Sequence, residues 1–109
     1  MYVSVTGLQT KGIASWLRFW ALAIPSFRAA KKAKGARFVD TKTRQGTHHT
    51  LTVWDTEADM KAYRKSPVHL KSMRAFAQIA SGKVHGYEAE QIPTWDEALA
   101  EYDAHGRVV

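Results

Sequence analysis

Of the five histidines in the chain, His69, in the stretch SPVHLKSMRAF, has the setting best suited to chemistry. The spacing predicts a helix over 66–80, opened by Ser66 as cap and Pro67 in the first turn. At 100° per residue, His69 falls in line with Met73, Phe76 and Ala80, while Lys71, Arg74 and Gln78 lie on the far side. The ring therefore points toward the space between helix and sheet. Its place in the first turn, at the positive end of the helix dipole, disfavours the imidazolium and lowers the pKa. A neutral imidazole facing an apolar cavity can accept a proton, donate a hydrogen bond or ligate a metal. A packed histidine bonded to a backbone carbonyl would occupy the same place without doing chemistry.

His48 and His49 are adjacent on an alternating segment, THHTLTVW. Neighbours on a strand point to opposite faces, so the two cannot readily chelate one ion, and no carboxylate stands at ligand spacing beside them. His49 shares its side with Leu51 and Val53, the apolar side expected to face the helices and so to look toward His69. Trp16, Phe19, Trp20, Ala23, Phe27 and Ala30 form one helical stripe. Its tryptophans are either packing or the wall of a flat apolar slot. The candidate substrate-binding set around His69 is thus Trp16, Trp20, His49, Met73 and Phe76. Phosphate-cradling glycine loops, a serine elbow and paired catalytic carboxylates are missing. With no cysteine, thiolate catalysis, disulfides and cysteine zinc sites are excluded together.

The elements that must position these residues follow from periodicity. YVSVTGL (2–8) alternates as a half-buried strand. A helix runs from Gly12 to a stop at Gly35, with Pro25 expected to kink or split it. Segments 36–44 and 47–54 read as a hairpin turning at Gln45-Gly46. Thr56 to Asp59 opens a short helix carrying Met60 and Tyr63. The 66–80 helix follows, then a strand over 83–92 that includes His85. Thr94 to Glu97 is a capping box for a closing helix bearing Trp95, Leu99 and Tyr102, and His105 lies in a solvated tail. The order β-α-β-β-α-β plus a C-terminal helix is an α+β, ferredoxin-like arrangement, an antiparallel sheet with helices on one face. The other face would collect Tyr2, Ser4, Thr6, Thr50, Thr52 and Trp54. That mixture is too aromatic for water and too polar for a core, and a homodimer through this open sheet face would account for it.

At 109 residues and 45% hydrophobic, the chain reads as a single domain with a real core. Its net charge is +6, but the densest basic run, RAAKKAKGAR (28–37), sits where a helix ends and where cations complement the dipole. Nucleic acid is therefore not the expected partner. No apolar run reaches the ~18–20 residues that span a bilayer, and MYVSVTGL lacks the order of a signal peptide. The expectation is a cytoplasmic protein without a membrane partner.

The stretch HTLTVWDTEADMKAYRKSPVHLKSM (49–73) resembles the dimeric α/β-barrel superfamily of antibiotic-biosynthesis monooxygenases, and within it bacterial proteins near spheroidene monooxygenase. The pattern is Leu51-Thr52-Val53-Trp54 ending a strand, an acidic helix start, then Tyr63, Ser66, His69 and Met73. The resemblance implies a homodimer whose sheets form a barrel, with a pocket in each subunit between sheet and helices. Some such proteins oxygenate a polycyclic phenol without a cofactor, the substrate anion passing an electron to O₂; others hold haem through a histidine. Carried to this chain, His69 becomes the candidate catalytic base or, in the haem alternative, the axial ligand. The expected function is a small, cofactor-independent, monooxygenase-like activity on an aromatic molecule. A non-enzymatic binding domain and a haem protein are the other two readings.

Overall fold

The computed structural model describes residues 1–10 and 12–108, with side chains everywhere but at residues 78–80. In chain order the elements are β1 (Tyr2–Thr10), α1 (Gly12–Lys32), β2 (Ala36–Arg44), β3 (Thr47–Trp54), α2 (Glu57–Arg64), α3 (Pro67–Ile79), β4 (Ala80–Glu88), α4 (Trp95–His105) and β5 (Arg107–Val108). The five strands form one sheet in the order β2-β3-β1-β4-β5, with every neighbouring pair antiparallel. This is the α+β, ferredoxin-like fold expected from the sequence, extended by α4 and by a two-residue edge strand that the sequence pattern does not announce.

Local chemistry explains the joints. Gln45 and Gly46 both take positive φ (51° and 78°), as a two-residue turn must to match the twist of β2 and β3. Gly35 ends α1 at φ 82°, and a side chain there would collide with the carboxylate of Asp59. Thr56 caps α2 by accepting from the Asp59 amide at 3.1 Å. Thr94 and Glu97 form the reciprocal capping box of α4. Pro25 does not split α1, which runs unbroken for 21 residues. The ring faces solvent, so its clash is absorbed on the outer side. β4 begins directly after α3 and ends at Glu88, earlier at both ends than the 83–92 expected. The expected alignment of Ala80 with His69 falls on a side chain outside the described residues.

The two sheet faces are assigned opposite to expectation. Val3, Val5, Leu51 and Val53 pack against Ala98 and Tyr102 of α4, not against α1 and α3. The Tyr2, Ser4, Thr6, Thr50, Thr52, Trp54 face is not open for a second copy, since it is roofed by α1 and α3. α4 presents Ala98, Leu99 and Tyr102 and so claims the more apolar sheet face.

Candidate active site

Between the roof of α1 and α3 and the polar sheet face lies a cavity of about 270 Å³. Its floor consists of cross-strand rows, Tyr2 opposite Trp54, Ser4 opposite Thr52 and Thr6 opposite Thr50. Above them stand Phe19 and Phe27 of α1, Tyr63 of α2, and His69, Met73 and Phe76 of α3. The roof is held by small residues. Ser26 and Ser72 bridge the two helices through a hydroxyl–hydroxyl hydrogen bond at 2.5 Å, and whichever hydroxyl accepts in it can donate to the Leu22 carbonyl, 3.3 Å from Ser26 Oγ and 3.4 Å from Ser72 Oγ. With these hydroxyls satisfied among one another, the helices approach closely at modest polar cost.

An aromatic ladder leads from the floor to the histidine. Trp54 donates through Nε1 to Thr52 Oγ1 at 2.9 Å and stacks on Tyr63 with centroids 5.4 Å apart. Tyr63 donates its hydroxyl to the Ser26 carbonyl at 2.7 Å. Burial pushes its pKa up to about 12, so it stays a neutral phenol. The His69 ring meets Tyr63 edge-on at 5.1 Å. Ser66 caps α3 by accepting from the His69 amide at 3.4 Å, which places the imidazole in the first turn.

The geometry at His69 fixes its protonation. Nδ1 lies 3.0 Å from the carbonyl oxygen of Arg64, the last residue of α2. A carbonyl only accepts, so Nδ1 carries the proton and Nε2 keeps its lone pair. Burial lowers the pKa, partly countered by the Arg64 carbonyl. The ring is thus a neutral base in an aromatic cavity.

The other expected site residues divide. Met73 and Phe76 line the cavity with His69. His49 does not meet His69: it lies on the α4 face, 1% exposed, with Nδ1 donating to the Thr6 carbonyl at 3.2 Å and its ring against Tyr102. Strand alternation sends it there with Leu51. Its neighbour His48 takes the cavity-side position and stacks on Phe19 at 4.8 Å. Trp16 is 46% exposed in the first turns of α1 and does not line the cavity. Trp20 packs on Phe19, Phe27 and His48 and is not part of the cavity lining. Conversely, Thr50, Thr52, Trp54 and Tyr63 belong to the cavity. The signal for Thr50, Thr52 and Trp54 in the sequence is the aromatic and hydroxyl mixture on one strand face, which also suits a dimer contact. A more open depression of about 520 Å³ runs beside α4, lined by Tyr87, Ile92, Pro93, Glu97 and Glu101 among others; Glu97 is engaged in the α4 capping box and Glu101 with His85 Nε2.

Among the described residues no three His, Asp or Glu side chains gather to hold a metal ion. Haem fits poorly. His69 Nε2 is a suitable axial donor, but the cavity lies below the about 300–1,000 Å³ usual for drug-sized ligands, and a porphyrin is larger than most of these. Admitting it would require α1 and α3 to separate.

The ferredoxin-like α+β architecture is shared with solved structures described as antibiotic biosynthesis monooxygenases, which superpose on the chain. A candidate antibiotic biosynthesis monooxygenase from Deinococcus radiodurans aligns with a TM-score of 0.75 at 16% identity, over 86% of this chain and 97% of that one. A protein of the same description from Nitrosomonas europaea gives 0.75 at 14%, over 84% and 100%. SnoaB, a cofactor-independent oxygenase from Streptomyces nogalater, gives 0.69 at 13%, over 83% and 93%. No family model and no curated protein sequence matches. At such identities the likeness is one of fold.

Proposed function

We propose that the chain is a cofactor-independent, monooxygenase-like enzyme that binds a small aromatic acid, such as a phenol or its keto tautomer, and removes its proton at His69 Nε2. The observation that carries this reading is the Arg64–His69 contact, which leaves the Nε2 lone pair free on a ring lining an aromatic cavity. The cofactor-independent activity of SnoaB supports it by analogy of fold. His69 takes the substrate proton, and the resulting anion, flanked by aromatic faces, gives one electron to O₂. The carbon radical and superoxide combine, and with the proton returned from His69 they make a hydroperoxide. Loss of water then leaves a carbonyl where a C–H stood, so one O₂ yields one inserted oxygen and one water.

The test is O₂ uptake with anthrone as a tricyclic probe, above the uncatalysed rate, in the wild type and in His69→Gln. Removing a general base is expected to cost roughly 10²–10⁴-fold. Uptake unchanged by the substitution rejects His69 as the base. A second reading, a binding domain, is favoured by the same contact, since His69 satisfies a carbonyl left over at the end of α2. On that reading His69→Gln costs roughly 1–3 kcal/mol of stability and anthrone binds without O₂ consumption.

We also propose pairing of two copies, by a route other than the roofed sheet face. The nine-residue strand β2 has a partner on one side only, and such an edge is a template for a second strand. Sedimentation velocity showing a monomer at every concentration rejects this.

A further inference from the structure

The surface of the roof is unlike the rest of the molecule. Seven of the nine large apolar side chains exposed among the described residues lie on α1 and α3: Ile13, Trp16, Leu17, Ile24, Val68, Leu70 and Met73. Neither helix contains an Asp or Glu. The segregation extends further along the chain. Residues 1–39 hold seven Lys and Arg and no acid, whereas residues 40–109 hold nine basic and ten acidic residues. The whole positive excess therefore belongs to the part of the chain that includes α1.

On α1 the two properties share one line. At 100° per residue, Ile13, Leu17, Ile24, Arg28 and Lys31 fall within about 60° of each other, an apolar stripe continued by cations toward the C-terminus. Ile13 is 81% and Leu17 58% exposed, and neither contributes to the cavity wall. Exposed apolar residues in such a row are costly in water, and a partner must offer both an apolar medium and negative charge.

We propose that the α1–α3 face docks on the surface of an anionic lipid bilayer, with Ile13, Trp16, Leu17 and Ile24 sunk to the headgroup–acyl boundary and Arg28, Lys31 and Lys32 among the headgroups. An amphipathic helix of this composition lies in the interface plane, tryptophan partitions to that depth, and basic residues are drawn to anionic lipid. Two alternatives fit less well. A second copy presenting the same face would bring Arg18, Arg28, Lys31, Lys71 and Arg74 against their equivalents, and like charges repel. Nucleic acid would satisfy the cations and could stack on Trp16, but gives Ile13, Leu17 and Ile24 nothing. The helices are not long and apolar enough to cross a membrane, so docking is peripheral. Met73 is both exposed and part of the cavity lining, so a docked molecule would hold one wall of its cavity against the lipid.

The experiment is cosedimentation of the full chain with vesicles of phosphatidylcholine alone and of phosphatidylcholine mixed with phosphatidylserine, at low and high NaCl. Binding to the mixed vesicles only, weakened by salt, is expected. Each of Arg28→Ser and Lys31→Ser is expected to weaken it roughly fivefold. The double variant Ile13→Ser, Leu17→Ser keeps the charge and is expected to weaken it more than tenfold, with an unchanged far-UV circular dichroism spectrum because both positions are exposed. Absence of vesicle binding overturns the proposal. So does binding untouched by the apolar double variant, which would mean surface charge alone. Tight retention on a single-stranded oligonucleotide without vesicle binding, or a dimer abolished by the double variant without vesicle binding, overturns it in favour of that other partner.

Discussion

Leu51 and Thr52 are neighbours in β3, yet they belong to two different kinds of interior. On the Leu51 side, Val3, Val5, Leu51 and Val53 are fully buried, and one eleven-residue helix closes the face because Ala98 lets it come close. On the Thr52 side, two helices braced by a serine pair stand over hydroxyls and aromatic rings and leave a cavity. One face is close-packed beneath α4. The other gives up packing and keeps polar groups that can orient one. Stability and binding are thus separated by the pleat of the strands, and substitutions on the two sides should separate them in solution.

The largest contrast should come from Leu51→Ala. Deleting a fully buried leucine costs about 2–5 kcal/mol through lost transfer energy and the cavity left behind, read as a lower urea midpoint. Across the pleat, Thr52→Val removes the acceptor of Trp54 Nε1, leaves that donor unpaired, and should cost about 1–3 kcal/mol. Affinity for anthrone should nevertheless fall more in Thr52→Val than in a Leu51→Val control. Equal responses would break the division.

Acid sharpens the same contrast. Burial lowers the pKa of His48, His49 and His69 below the ordinary 6.5. The folded state holds them neutral, so below about pH 6.5 the unfolded chain binds more protons, and stability falls with pH until the folded pKa values are passed. Above that window their contribution is complete. His49, sealed on the close-packed face with Nε2 lacking any partner, should account for more of the slope than half-buried His69. Urea midpoints between pH 5 and 7.5 for His49→Gln and His69→Gln would show which flattens the curve more. The smallest effect is kinetic: with His69 intact, kcat/KM for the probe should rise with pH through an inflection below 6.5 and be flat above it.

What the sequence disclosed follows the range over which each signal acts. Caps at Thr56, Ser66 and Thr94, the turn at Gln45-Gly46 and the alternation of β1 and β3 are local, and they yielded the element order and the fold. His69, Met73 and Phe76 were placed together because one helix sets their spacing. The assignment of sheet faces was not local. It depended on which helical layer claimed the more apolar side, and α4, forty residues beyond β3, decided it. Tyr63 was hidden for a similar reason, since it reaches the cavity only because α2 folds back beside Trp54. Trp16 shares the stripe of the buried α1 residues, but near the start of the helix it stays 46% exposed and does not reach the cavity.

The acceptor that orients His69 belongs to the main chain of Arg64, and this makes the arrangement blind to the genetic code at that position. Any amino acid at 64 presents the same carbonyl, so side-chain scanning would leave the proton on Nδ1 in place. What can disturb the tautomer is a change in backbone path, such as a shift of α2 against α3 or a proline at Lys65. Nitrogen-15 NMR of the labelled imidazole would register such a shift directly, as protonation passing from one ring nitrogen to the other.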